Sequence, residues 1–141
     1  PTPCEYKAEM NSEPVATRQF ILDHLSDDTV ALFDTRNPKE YVGEKVFAQR
    51  GGHIPGAVNI EWTDAMDIEN ERCFKREAEL RQMLESKGLT SDKTIVVYCQ
   101  THHRSAHTYI MLKSLGYENV KGYPGSWSDW GNEPNTPIEK D

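Results

Sequence analysis

A chain of 141 residues is long enough for one domain and short for two. At this size roughly 70% of the unfolded surface can be buried, so a core can form without staples. A hydrophobic content of 36% with 28% charged residues excludes a disordered chain, and a net charge of -7 argues against a general nucleic-acid binder. Residues 5–9, EYKAE, read as a short lead strand. Ser12, Glu13 and Pro14 open a helix that runs to about Leu25, with Phe20, Ile21 and Leu25 as its apolar face. TVALFD at 29–34 is a buried strand, and NPKEYVG is a helical turn closed by Gly43. The polar stretch EKVFAQRGG is a long loop, and GAVNI at 56–60 is a second short strand. Residues 75–88 form a helix with Leu80, Met83 and Leu84 on one side and Gly88 as its stop. KTIVVY at 93–98 is the clearest buried strand. A helix at 104–116, a strand at 118–123 and a short helical piece in GSWSDWG complete the chain.

Strands alternate with helices throughout, which predicts an α/β fold on a mostly parallel sheet. Ligands of such sheets bind beyond the carboxyl ends of the strands. DTR at 34–36 and CQTHHR at 99–104 fall at those ends. No apolar run reaches the length of a membrane span, and no signal-peptide pattern is visible. The chain opens on Pro1, which points to a processed end or the edge of an excised domain. That leaves the compartment open, the cytoplasm slightly favoured.

The three cysteines, Cys4, Cys73 and Cys99, form neither a disulfide framework nor a metal knuckle. Cys4 reads as a terminal thiol, and Cys73, inside the charged NERCFK, as a surface or half-buried bystander. Cys99 stands apart. It ends an apolar strand, and the chain then turns into a helix through Gln100, Thr101, His102, His103 and Arg104. Such a loop aims backbone N–H groups inward as an anion nest, and the helix N-terminus lowers a thiol pKa. Arg104 adds a planar cation suited to an oxyanion or to the loop's own carbonyls. A buried thiol with only a packing role would want apolar neighbours, and these are polar. A zinc site at Cys99, His103 and His107 lacks an obvious fourth ligand. His24 and His53 carry no catalytic argument of their own.

Taken together, ALFDTRNPKEYVGE, GGHIPGAVNIEW, VVYCQTHHRSAHTYIMLKSLGY and VKGYPGSWSDWG, in that order, resemble the rhodanese family of sulfurtransferases over nearly the whole chain. The resemblance implies a three-layer fold with a mostly parallel central sheet and helices on both faces. It implies one rhodanese domain over 1–141. EKVFAQRGGHIPGA and the ending are similar to the catalytic C-terminal half of tandem thiosulfate or mercaptopyruvate sulfurtransferases. A companion rhodanese domain is therefore a candidate partner. By resemblance, Cys99 carries a persulfide whose outer sulfur sits among the N–H groups of 100–104. Asp34 and Arg36 match a D-x-R signature and support the site, with Arg36 expected to pair with Glu40. GHIPG is expected to be a rigid turn tied by His53. Arg50 and Trp62 are candidate substrate contacts. Trp62, Trp127 and Trp130 either rim the cleft or pack the sheet.

The C-x4-R loop is shorter than the C-x5-R loop of cysteine phosphatases and arsenate reductases of this fold, so sulfur transfer is expected instead. The partners implied are a small anionic sulfur donor and a cyanide, thiol or protein acceptor. Nucleic acid, membrane, metal and organic cofactor are not implied. The loop lacks the basic residue often found in thiosulfate-preferring members. His102 and His103 could supply partial charge below neutral pH, so thiosulfate and 3-mercaptopyruvate both stay open as donors. A module from another class, a non-catalytic sulfur relay, would need the same Cys99.

Overall fold

The apolar run that ends at Cys99 is the spine of the sheet. The computed structural model describes residues 14–67, 69 and 73–140. The expected strand at 5–9, Cys4, Ser12 and Glu13 lie outside the described residues, as does the side chain of Cys73. In chain order the elements are α1 (Arg18–Asp23), β1 (Val30–Asp34), α2 (Pro38–Tyr41), β2 (Val58–Asn59), β3 (Met66–Asp67), β4 (Cys73–Phe74), α3 (Glu77–Ser86), β5 (Thr94–Tyr98), α4 (His103–Ser114), β6 (Val120–Gly122) and α5 (Ser126–Trp130). A 3-10 turn at Trp62–Ala65 precedes β3.

Four strands form a parallel sheet in the order β2-β1-β5-β6. Successive residues of β5 point to opposite faces, as the pleat dictates. Ile95 and Val97 pack with Leu80 and Leu84 of α3 and Met111 and Leu112 of α4. Val96 and Tyr98 pack with Ile21 of α1 and Trp127 and Trp130 of α5. Both faces of the sheet are therefore covered, which gives the expected three layers. Leu84 is 0% exposed. Leu84→Ala is expected to lower the unfolding free energy by about 2–5 kcal/mol, read from urea denaturation.

The connection from β1 leads outward to β2, and that from β5 leads the opposite way to β6. Parallel sheets open a crevice where the winding reverses, here beyond the carboxyl ends of β1 and β5. Asp34 and Tyr98 end those strands in register.

The first helix differs from expectation. It starts at Arg18 and stops at Asp23. Residues 14–16 instead run along the edge of β6: the Gly122 N–H donates to the Pro14 carbonyl at 2.8 Å, and the Ala16 N–H to the Gly122 carbonyl at 2.8 Å. Thr17 caps the helix, its Oγ1 accepting from the Phe20 N–H at 3.1 Å. The antiparallel pairing of β3 with β4 and the 3-10 turn have no counterpart in the sequence reading, being too short to carry a periodicity. Among the described residues no helix is long and apolar enough to cross a membrane.

Candidate active site

Cys99 follows directly on β5 and is 1% exposed. Its N–H donates to Ser126 Oγ at 3.2 Å, and its carbonyl accepts from the Trp127 N–H at 2.9 Å. The Gln100 carbonyl accepts from the Ser128 N–H at 2.9 Å, so the start of α5 is stitched to the loop. The chain then turns at His102, whose φ of 67° is left-handed, and enters α4. Among the described residues, the N–H groups of 100–104 find no protein acceptor. That follows from their place ahead of and inside the first helical turn, where no preceding carbonyl can reach them. Unpaired N–H groups together with the helix dipole favour negative charge at this spot. Cys99 is buried as a packing thiol would be, yet its Sγ also accepts from the Ser105 hydroxyl at 3.4 Å.

Arg104 meets a carboxylate rather than the loop's carbonyls. Its Nη1 donates to Glu40 Oε2 at 2.7 Å and its Nη2 to Oε1 at 3.0 Å. Glu40 is held for this contact by α2, where Asn37 and Glu40 form a capping box. The expected Arg36–Glu40 pair is therefore corrected: Glu40 binds Arg104, and Arg36 turns back on Asp34. The planar forks of Arg104 and Glu40 match two-to-two, while Arg36, which lies ahead of α2, turns its own fork onto Asp34. Burial raises the Glu40 carboxyl pKa, but the Arg104 guanidinium outweighs it and holds the group below the usual range. A depressed carboxyl pKa adds stability above its unfolded value, lost as pH falls through the folded one. Glu40→Gln is accordingly expected to cost about 2 kcal/mol at pH 7 and less at pH 3, read from chemical denaturation at both pH values.

Asp34 and Arg36 lie beneath the loop, 0% and 1% exposed. Arg36 Nε and Nη2 reach both Asp34 oxygens at 2.6–3.0 Å, and Nη2 also donates to the Gly52 carbonyl at 2.6 Å. The guanidinium stacks on Trp127 at 4.6 Å. This pair closes the floor between β1 and α5. Trp127 and Trp130 are buried in the core, so they pack the sheet rather than rim a cleft. Trp62 is half-buried and meets the His107 ring edge-on at 5.2 Å, with Phe74 on the same ring at 4.9 Å. His107 thus faces aromatic rings. Among the described residues no three His, Cys, Asp or Glu side chains converge as a metal site would require.

Arg50 departs from the expectation of an anion contact. Its guanidinium donates to the carbonyls of Thr136 at 2.8 Å, Trp130 at 3.0 Å and Glu133, tying the C-terminal segment to the loop at 44–52. His53 does tie its turn: its Nδ1 lies 2.8 Å from the Tyr41 carbonyl, and its ring stacks on Tyr41 at 3.7 Å. The expected partial charge on His102 below neutral pH is weakened by its surroundings. Burial, with His103 adding to it, pushes the imidazole pKa below the usual histidine range. His102 is neutral at pH 7, while His103 stands exposed at the start of α4.

Three contacts were not read from the sequence. Ser126 orients the Cys99 amide from 27 residues away. Glu40 anchors Arg104, and its signal was present as the N-x-x-E of a capping box at 37–40. Ser105, directly after the arginine, touches the sulfur.

A strand-tip cysteine above an amide-rich turn, on a four-stranded parallel sheet, defines a class that the comparisons bear out. The profile of the rhodanese-like domain matches residues 17–133, and the chain belongs to that family. It is 52% identical over 130 residues to the thiosulfate sulfurtransferase of Azotobacter vinelandii, covering 92% of this chain and 47% of that protein. It is 42% identical over 151 residues to the sulfur carrier protein TtuD of Thermus thermophilus, covering 98% of this chain and 52% of that one. The chain spans about half the length of these curated relatives. The anaerobic ergothioneine biosynthesis enzyme from Chlorobium limicola shares the fold, with a TM-score of 0.83 at 22% identity over 91% of this chain and 32% of that chain.

Proposed function

We propose that this domain is a sulfurtransferase that moves sulfane sulfur from thiosulfate to a nucleophilic acceptor by double displacement at Cys99. The Cys99 thiolate attacks the outer sulfur of thiosulfate. A sulfur–sulfur bond forms, the bond to the sulfonate breaks, and sulfite leaves with its electron pair. The persulfide carries its negative charge on the outer sulfur, within reach of the N–H groups of 100–104. Cyanide or a thiolate then attacks that sulfur, and Cys99 departs as thiolate. None of these steps calls for a metal or an organic cofactor.

The observation that carries this reading is the placement of Cys99 at the base of a turn in which the N–H groups of the next five residues, 100–104, lack protein acceptors. The short C-x4-R loop suits a persulfide better than a tetrahedral phosphate, and the Azotobacter vinelandii relative supports the same reaction. Neither Arg104 nor His102 selects thiosulfate by charge: Arg104 is bound to Glu40, and burial lowers the His102 pKa. 3-Mercaptopyruvate therefore stands as the alternative donor. The likeness to a sulfur carrier protein favours one second reading, a relay that accepts sulfur from one protein and hands it to another. The half-length match supports a companion rhodanese domain in the full protein.

The test is thiocyanate formation from thiosulfate and cyanide, varied in both substrates. Parallel double-reciprocal lines are expected, since donor and acceptor never meet on the protein. Turnover with 3-mercaptopyruvate alone would change the donor. Absence of turnover with both, alongside fast handover of preloaded sulfur to a thiol protein, would establish the relay instead.

A further inference from the structure

The Ser105 hydroxyl, 3.4 Å from Cys99 Sγ, also lies 2.6 Å from His102 Nδ1. Cys99, Ser105 and His102 therefore form one continuous chain of hydrogen-bonding atoms. Ser105 is 0% exposed, so water does not compete for its hydroxyl. We propose that His102, acting through Ser105, takes the Cys99 proton and leaves a thiolate for attack on the sulfur donor. The inference rests on the proposed sulfur transfer for its purpose, and on the three-atom geometry for its existence.

The proton bookkeeping closes within the chain. The S–H bond of Cys99 breaks with its electron pair left on sulfur, and the proton passes to Ser105 Oγ. The proton that Ser105 already held passes to His102 Nδ1. A neutral thiol and a neutral imidazole become a thiolate and an imidazolium, and Ser105 is unchanged. The same heavy-atom positions serve both directions. After transfer, His102 Nδ1–H donates to Ser105 and Ser105 O–H donates to sulfur, which stabilises the anion.

Three further features support the assignment. Burial and His103 lower the His102 pKa, so Nδ1 rests unprotonated and open to a proton, and the same two causes make the imidazolium a short-lived species that passes its proton on. Its backbone holds a φ of 67°, an uncommon choice for a residue other than glycine, and that turn is what brings the ring back over Ser105. The ring also needs Gly122. A Cβ built on that residue would stand 2.5 Å from both Cε1 and Nε2 of His102.

The charged and titratable groups around this chain leave the role to His102. His103 is exposed, and Arg104 is bound to Glu40. On β6, the Lys121 amino group sits over the Phe20 ring at 5.4 Å. The Tyr123 hydroxyl is bound to Asp129. α5 offers Ser126, which accepts from the Cys99 N–H and donates to the Tyr123 carbonyl.

His102 touches no substrate and is a positioning residue, so the test reads pH dependence. Alkylation of Cys99 by iodoacetamide is measured from pH 5.5 to 10, in parallel with sulfur loading from thiosulfate. The variants are Ser105→Ala, His102→Asn, whose side chain tolerates the left-handed backbone, and Gly122→Ala, which displaces the ring from another element. At pH 7 each variant is expected to alkylate and load about tenfold more slowly than the native chain. The rates should converge near pH 10, where a thiol ionises unaided. A loss of equal size at every pH, or native rates throughout, would overturn the relay. Alkylation does not depend on the sulfur donor. A native chain that shows the expected alkylation profile but takes no sulfur at any pH would strike the proposed reaction and leave the proton relay standing.

Discussion

Replacement of Cys99 by serine is expected to lower thiosulfate:cyanide turnover by on the order of 10³-fold or more while the fold persists. The two parts of this prediction come from different features. Loss of turnover follows from chemistry: an alkoxide is scarcely formed near neutral pH, and a serine cannot carry sulfane sulfur through a reversible sulfur–sulfur bond. Persistence of the fold follows from packing. The backbone of Cys99 makes its contacts through N–H and carbonyl, to Ser126 and Trp127, and both survive the substitution. An oxygen in place of Sγ can still accept from Ser105. Thiocyanate formation and the thermal midpoint, measured on the same preparation, check the two parts together. A variant that keeps a tenth of the native turnover would remove Cys99 from the reaction.

The largest expected effect on stability belongs to the pair beneath the loop. Asp34→Asn leaves the Arg36 guanidinium, 1% exposed, without its counter-charge. Breaking one side of a buried pair is expected to cost about 3–5 kcal/mol, since the remaining charge stays desolvated. Arg36 still has the Gly52 carbonyl and the Trp127 ring, which set a limit on the loss. Urea denaturation at pH 7 reads the effect. Turnover per folded molecule should change far less than stability, because the pair acts through the floor of the site. A variant as stable as the native chain would show that the stacking and the carbonyl suffice.

The nucleophile was legible because its chemistry is contiguous. A strand, a cysteine, a turn and a helix follow one another within a few residues, and each local preference agrees with the next. The parallel sheet was legible for a similar reason: helices alternate with short apolar runs, and both faces of β5 are apolar in sequence. The partners of the charged side chains were not. Arg104 finds Glu40 across 64 residues, and Arg50 finds the carbonyls of a segment 80 to 86 residues on. Spacing of one helical turn offered Arg36 as the partner for Glu40, and the fold instead brings Arg104 to it. The start of α1 was misread because the fate of residues 14–16 is decided by the free edge of β6, which no local signal announces. Ser105 lay in plain view beside Arg104, but its contact with sulfur depends on how the first turn of α4 coils back over Cys99.

The central claim is that Cys99 holds a sulfur atom as a persulfide. Intact-protein mass before and after brief exposure to thiosulfate tests it most directly, with Cys99→Ser treated in parallel. The native chain is predicted to gain the mass of one sulfur atom, to lose it on addition of cyanide, and the serine variant to gain nothing. A native chain whose mass is unchanged by thiosulfate and by 3-mercaptopyruvate, or a serine variant that gains the same mass, would contradict it.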